Sequence, residues 1–257
     1  MSLVEYEVND RIAYLTLNRP DKRNALNSEM VAQLSESFKR ASLDEAAKII
    51  VLKANGKVFC AGADLGYLQQ LQQNTFEENI ADSTQLASLF EQIYMLNKVV
   101  IAQIHGHAIA GGCGLATLCD FSFAVPEANF GYTEVKIGFI PAIVSLFLIR
   151  KIGEGKAREL LLSGELISAE QAQVYGLINY ITEESELSLK VQEFARKLCH
   201  NNSAQSMGST KKLMAHIQTM DLTNGLRFAA RMNAETRESA DCKKGIAAFL
   251  NKQEIQW

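Results

Sequence analysis

Residues 103–141 read QIHGHAIAGGCGLATLCDFSFAVPEANFGYTEVKIGFIP and contain the strongest structural signal in the chain. The apolar start predicts a buried strand, and Gly111-Gly112 with the small residues after them predicts the opening of a helix. The first N–H groups of a helix have no partner within it, and the helix dipole adds positive potential there. The pattern therefore predicts a cradle for a negatively charged oxygen. A lone carboxylate, Glu134, follows in a polar turn that the fold must bring back for it to act there.

Length and charge narrow the class of protein. The 257 residues suffice for one large domain, or for one domain with a helical appendage. Lys and Arg number 26 and Asp and Glu 29, so the net charge of −3 shows no basic face for nucleic acid. No apolar run reaches the length of a membrane span, and the first residues lack a secretion signal. We therefore expect a cytoplasmic protein without nucleic-acid or membrane partners.

The five cysteines and four histidines show no pattern of a metal site or a disulfide framework. The cysteines form an odd set without a CxxC pair, and the histidines are scattered. We expect reduced thiols and no metal.

Apolar periodicity and capping residues predict short strands alternating with helices, and then helices alone. The predicted strands are residues 2–8, 11–18, 48–53, 58–59, 99–106, 121–125 and 177–182. The predicted helices are residues 28–42, 83–96, 112–119, 154–162 and 168–175, and only helices are predicted after residue 183. The Gln- and Asn-rich residues 65–82 are expected to be mobile, with a helix as the alternative. This repetition of strands and a helix suggests a stacked or spiral α/β core.

Six segments together resemble the crotonase superfamily, the enoyl-CoA hydratase/isomerase family. They occur in the family's order and cover nearly the whole chain. They are NRPDKRNALN (18–27), FCAGADL (59–65), IHGHAIAGGCGLATLCD (104–120), FGYTEVKIGFIP (130–141), LLLSGELISAEQAQVYGLINYI (160–181) and KKGIAAFLNK (243–252).

The resemblance implies an α/β fold, a crotonase-like ββα superhelix of four turns with a helical C-terminal trimerisation region. It divides the chain into a spiral core with the acyl-CoA site at 1–196 and an oligomerisation region at 197–257. It implies a homo-oligomer, a trimer or a dimer of trimers. The implied ligand is an acyl-CoA thioester, so coenzyme A is part of the substrate and no separate cofactor is expected.

The resemblance also implies roles for individual residues. The backbone N–H groups of Ala63 and Gly111 match the two donors that hold the thioester oxygen as it becomes an enolate. Glu134 matches the catalytic acid, and an apolar pocket around it would raise its pKa into a range suited to proton transfer.

The residues that match coenzyme A contacts fall into three groups. Two basic residues match positions near the phosphates, namely Lys22 and Arg23. Four residues match positions whose backbone contacts the adenine or the pantetheine, namely Ala25, Ala61, Asp64 and Leu65. Two residues on the last helix match positions that reach coenzyme A in a neighbouring subunit, namely Phe249 and Lys252.

Gly114 departs from the pattern, because family hydratases commonly carry a second glutamate there. A double-bond shift needs only one base, whereas hydration is readily managed by two carboxylates. The bulky residues 142–147 after Pro141 also suggest a drier pocket wall. Against this, the overall similarity is to hydratases of short or branched 2-enoyl-CoAs, such as methylglutaconyl-CoA. Hydration and isomerisation, including 3,2-enoyl-CoA isomerisation, therefore both stay open.

Three further residues and two other classes of function come into consideration. Asp64, His107 and Asp120 are the candidates to replace the missing carboxylate. Asp64 is favoured instead as part of the coenzyme A-binding turn, and structural roles are favoured for His107 and Asp120. The loss at Gly114 leaves open a non-catalytic acyl-CoA binder. A dinucleotide-binding oxidoreductase ranks far lower, because GHAIAGG is not GxGxxG and no ribose-binding acid follows.

Overall fold

A computed structural model of the chain describes residues 2–257. Six strands form the main sheet, in which the first pair is antiparallel and every later pair is parallel. Across the sheet they are β1 (Val4–Asn9), β2 (Ile12–Leu17), β3 (Ile49–Ala54), β4 (Val99–Ile104), β6 (Phe121–Ala124) and β9 (Tyr180–Ile181).

A second, smaller sheet carries the site. Its strands are β5 (Ala108–Ile109), β7 (Asn129–Gly131) and β8 (Ile167–Ser168). Two isolated bridges extend it, one between Cys60 and Ala108 and one between Leu26 and Ala63. Segments far apart in sequence therefore lie side by side in one layer.

Ten helices complete the described fold, and many begin at a side-chain cap, as at Asn27, Thr75 and Ser168. They are α1 (Ser28–Leu43), α2 (Leu65–Leu71), α3 (Phe76–Met95), α4 (Gly111–Leu118), α5 (Ala142–Ser163), α6 (Ala169–Val174), α7 (Glu184–Asn201), α8 (Ala204–Ile217), α9 (Leu222–Glu238) and α10 (Ala240–Leu250). None of them within residues 2–257 combines the length and the apolar character needed to span a membrane.

The core lies where the main sheet packs against the helices. Its largest fully buried side chains include Phe38 of α1, Phe90 of α3 and Tyr132, which follows β7. The α/β core with a helical C-terminal region agrees with the predicted fold class. Residue 196 lies within α7, so the division at 196 and 197 stays a prediction.

Several predicted boundaries were wrong. Residues 65–82, expected to be mobile, are mostly helical, because Asp64 caps α2 and a Thr75–Glu78 capping box starts α3. Helix α5 begins at Ala142 rather than at 154, with a break at Gly153, whose φ is 78°. Residues 58–59 form no named strand, and the strand predicted at 177–182 is only β9.

Candidate active site

The small sheet places Gly111 and Glu134 at the same edge. Strands β5 and β7 are parallel, so the residues that follow each of them leave the sheet on the same side. Gly111 opens α4 just after β5, and Glu134 opens a short 3-10 turn just after β7. The Ala110 N–H donates to Gly131 O at 2.7 Å, which fastens the two exits together. The segment that carries Glu134 therefore runs beside the start of α4.

Ala63 approaches from the other side of β5. The Ile109 N–H donates to Cys60 O at 3.0 Å, which aligns the chain before Ala63 with β5. Gly62 has a φ of +86°, and a Cβ on it would lie 2.7 Å from Ala110 Cβ and 2.9 Å from Ile109 O. This close approach therefore requires glycine at 62.

Two backbone donors remain available where these segments meet. Within residues 2–257, neither the Ala63 nor the Gly111 N–H donates a hydrogen bond to another backbone or side-chain group. Ala110, which precedes α4, has φ 52° and ψ −125°, a strained backbone for a residue with a Cβ. Sequence analysis missed this residue, because alanine carries no turn signal. The hydrogen bond from the Ala110 N–H to Gly131 O maintains this strained conformation, which precedes the first residue of α4.

Glu134 combines burial with an unused oxygen. Its Oε2 is buried and has no hydrogen-bond partner among the described residues. Burial raises the pKa of the Glu134 carboxyl above its ordinary 4.5. A carboxyl group in this state is suited to take up and release a proton near neutral pH.

Gly114 leaves no room for a side chain. A Cβ on Gly114 would lie 2.5 Å from Val144 Cγ1 and 2.9 Å from Phe90 Cε2. Val144 belongs to the bulky segment after Pro141, and it is buried. The space beside the Gly114 Cα is therefore occupied by two apolar side chains from other segments.

Asp64, expected to bind coenzyme A, is engaged within the chain. One carboxylate oxygen caps α2 by accepting from the Gly66 and Tyr67 N–H groups, and the other accepts from Arg19 Nη1 at 2.7 Å. Burial opposes ionisation of Asp64, but the Arg19 hydrogen bond and the backbone donors outweigh it and lower the pKa of the carboxyl. Its side chain acts first as a structural clamp.

The other positions matched to coenzyme A lie in two places. Ala25 and Ala61 lie beside Ala63, since the Ala61 N–H donates to Arg23 O and the Leu26 N–H to Gly62 O. Lys22, Arg23 and Leu65 are exposed in these same segments, as is Ala63 itself.

Phe249 and Lys252 are exposed at the end of α10. Helix α10 packs against α9, and Ser203 donates to Asp241 near its start. After α10, Trp257 accepts from Arg11 between β1 and β2 and donates its N–H to His200 O of α7. Among the described residues, no hydrogen bond links Phe249 or Lys252 to the segments of Ala63 and Gly111 in the same chain.

Asn24 is a further residue that sequence analysis missed. It is fully buried, accepts from the Arg19 N–H, and donates to Asn55 O and Val58 O. These bonds shape the loop that presents Lys22 and Arg23. The available signal was an asparagine in a turn-forming segment, since asparagine tolerates the left-handed region that Asn24 adopts, with a φ of 54°.

Asp120 and His107, considered as replacements for the missing carboxylate, form hydrogen bonds that join parts of the fold. Asp120 accepts from the Val100 N–H and from buried Lys211, each at 2.7 Å, and so joins β4 to α8. His107 Nδ1 accepts from the Asn129 N–H at 3.1 Å on the surface. In the part of the chain described, no three His, Cys, Asp or Glu side chains converge on a point that could hold a metal ion. The five cysteines are free thiols.

Comparison with known proteins agrees with this geometry. The family model described as "Enoyl-CoA hydratase/isomerase" matches residues 7–257. A Thermus thermophilus protein named among the enoyl-CoA hydratases is 39% identical over 94% of this chain and 95% of its own. The 2,3-dehydroadipyl-CoA hydratase of Escherichia coli is 33% identical over 95% and 93%.

A solved structure shows the same likeness. The enoyl-CoA hydratase of Shewanella pealeana is 32% identical, with a TM-score of 0.93 over 99% of this chain and 96% of that one. The fold is therefore the crotonase fold, and the chain belongs to the enoyl-CoA hydratase/isomerase family of acyl-CoA enzymes.

Proposed function

We propose that this enzyme stabilises a thioester enolate with the Ala63 and Gly111 N–H groups and moves protons with Glu134 alone. The observation that carries the proposal is the buried, unpartnered oxygen of Glu134 on the strand exit fastened to Gly111. Fixed N–H donors favour the charged enolate oxygen over the ground-state carbonyl, because the charge develops only during reaction.

Double-bond isomerisation is the reaction that the pocket wall favours. Glu134 would take a proton from C2 of a 3-enoyl thioester, and the C–H electron pair would move into a dienolate held by the two N–H groups. The same carboxyl would return the proton to C4, giving the 2-enoyl thioester. No second carboxylate is needed, which agrees with the filled space at Gly114.

Hydration is the second candidate, favoured by the relatives named as hydratases. Glu134 would take a proton from water as the hydroxyl adds to C3 of a 2-enoyl thioester. The protonated carboxyl would then deliver a proton to C2 of the enolate, so one group serves both ends in turn. A short or branched substrate such as methylglutaconyl-CoA is proposed from the resemblance of the sequence.

Coenzyme A is proposed to lie along the edge that presents Ala25, Ala61 and Leu65, with Lys22 and Arg23 at its phosphates. Both basic side chains are exposed, and neither belongs to an ion pair among the described residues. Asp64 is proposed to hold this edge in shape through Arg19.

A homo-oligomer, a trimer or a dimer of trimers, is proposed for the working enzyme. Helices α9 and α10 bury none of their described side chains and expose large apolar ones, such as Leu226 and Phe249. Phe249 and Lys252 are proposed to contact coenzyme A in a neighbouring subunit. The cytoplasm is the proposed location.

A panel of 2-enoyl- and 3-enoyl-CoAs, including methylglutaconyl-CoA, tests the reaction by mass spectrometry. Hydration raises the product mass by one water, whereas isomerisation leaves the mass unchanged and alters the retention time. We expect one of these products from at least one substrate. Tight acyl-CoA binding with neither product from any substrate would contradict the proposal and favour a non-catalytic binder.

A further inference from the structure

Two buried hydroxyl groups, those of Tyr132 and Thr117, join the segment that carries Glu134 to α4. Tyr132, two residues before Glu134, has no exposed surface, and its hydroxyl lies 2.8 Å from Thr117 Oγ1. Thr117 Oγ1 donates to Cys113 O at 2.9 Å. Because Thr117 has one hydroxyl proton and gives it to that carbonyl, Tyr132 is the donor in the bond between the two hydroxyls.

The Tyr132–Thr117 pair joins α4, which begins at Gly111, to the segment that carries Glu134. Cys113 and Thr117 belong to α4, whose first residue is Gly111, whereas Tyr132 belongs to the segment that carries Glu134. The backbone bond from Ala110 to Gly131 is the first tie between these segments, and the Tyr132–Thr117 bond is a second one made by side chains.

The Tyr132 hydroxyl and the Cys113 thiol both stay protonated, so the bond from Tyr132 to Thr117 does not change with pH near neutrality. Burial, with nearby Cys113 and Glu134, keeps the pKa of Tyr132 well above its ordinary value, so the hydroxyl stays neutral and keeps donating. Burial likewise raises the pKa of the Cys113 thiol to about 12, with the charge of Glu134 among the causes. Both groups are therefore close to Glu134 without competing for its proton.

From this geometry we infer that Tyr132 and Thr117 are positioning residues that fix Glu134 relative to the Gly111 N–H. The inference rests on the proposed function and deepens it. Proton transfer to carbon depends steeply on geometry, and a misplacement of about 1 Å can reduce rates by about a hundredfold. Loss of the Tyr132 hydroxyl should therefore reduce kcat while binding of the thioester is retained.

Steady-state kinetics of the full chain test the inference with Tyr132→Phe, Thr117→Val and the double variant. Tyr132→Phe keeps the buried ring, and Thr117→Val keeps its shape. We expect each single variant to lower kcat about tenfold with KM within about twofold, and the double variant to be no slower than either. Thr117→Ser, which keeps the hydroxyl, should restore kcat. Tyr175→Phe is the matched control, since Tyr175 binds Glu159 at the surface.

Two results would overturn the inference. One is a folded Tyr132→Phe enzyme with kcat within about twofold of wild type, and the other is losses that multiply in the double variant. Glu134→Gln distinguishes failure of the positioning role from failure of the proposed function. If Glu134→Gln is inactive but Tyr132→Phe is normal, only the positioning role fails; if Glu134→Gln is active, the proposed function itself fails.

Discussion

At the scale of single residues, the site combines features that disfavour folding with features that suit catalysis. Glu134 carries a carboxyl in surroundings that disfavour its charge, and Ala110 adopts a backbone conformation that alanine rarely takes. Both are held by the pairing around β5 and β7 rather than by their own preferences. Such local cost at a functional site is common in enzymes.

Glu134→Gln should not destabilise the protein at neutral pH. The folded pKa of Glu134 is raised above 4.5, so the folded state binds more protons than the unfolded state between the two values. Stability therefore falls as pH rises through that window, and the neutral amide removes this penalty. We expect the free energy of unfolding of Glu134→Gln at pH 7 to equal or exceed that of wild type, with the gain gone below pH 4.5.

Urea denaturation at both pH values measures this effect, with Glu165→Gln as the control. Glu165 is exposed and pairs with Lys136, so its loss should change stability little at either pH. A clear loss of stability in Glu134→Gln at pH 7 would contradict a buried, unpartnered carboxylate.

Gly114→Ala should destabilise the fold by about 1–3 kcal/mol, because its Cβ would overlap Val144 and Phe90. Gly155→Ala, in α5 with no atom within 4 Å of the added Cβ, should be neutral or stabilising by up to about 1 kcal/mol. Thermal unfolding of the two variants makes the comparison. Equal stability of both would mean that the space at Gly114 is not filled as described.

Residue-scale features show where prediction from sequence stops. The family motifs predicted roles for Ala63, Gly111 and Glu134, which stay predictions, and they drew attention to Gly114. They did not reveal that Val144 and Phe90 fill the space at Gly114, because that contact joins segments distant in sequence. The strain at Ala110 was equally hidden, since only the paired strands on both sides impose it.

At the scale of elements, cap residues made most helices predictable, whereas very short strands were missed. Strands β5, β7 and β8 have two or three residues, too few to show an alternating pattern. They nevertheless bring Gly111 and Glu134 together. The start of α3 was also missed, although the Thr75–Glu78 capping box was present in the sequence.

Asp64→Ala should lower the free energy of unfolding by about 1–2 kcal/mol, because it removes the cap of α2. The Arg19 ion pair is lost with it. Asp64→Asn, which keeps a capping oxygen, should lose less. The contribution of Asp64 is present above its unfolded pKa and is lost as pH falls through the lowered folded pKa.

Urea denaturation and calorimetric binding of coenzyme A separate the two roles considered for Asp64. We expect Asp64→Asn to bind coenzyme A as wild type does. Weakened binding at unchanged stability would instead support direct contact with the ligand.

At the scale of the whole molecule, the order of the predicted elements predicted the fold class, because strands alternate with helices up to residue 183 and only helices follow. Helices α9 and α10 bury none of their described side chains within the single chain. Large apolar side chains exposed on both helices are typical of a surface that pairs with another copy.

Leu226→Ser should weaken the proposed assembly, because Leu226 is 62% exposed on α9 and offers apolar area for burial between subunits. Its exposed neighbour Arg227 provides the control variant Arg227→Ser. Sedimentation velocity over a range of concentrations should show dissociation at higher concentration for Leu226→Ser alone. A wild-type enzyme that is monomeric throughout would contradict the assembly.

The central claim is that Glu134 alone carries the proton to and from the enolate. The most direct test compares kcat of Glu134→Gln and the control Glu165→Gln on whichever enoyl-CoA wild type converts, with acyl-CoA binding measured alongside. We expect Glu134→Gln to bind acyl-CoA normally but to turn over at least a hundredfold more slowly, while Glu165→Gln matches wild type. Normal turnover by Glu134→Gln would contradict it.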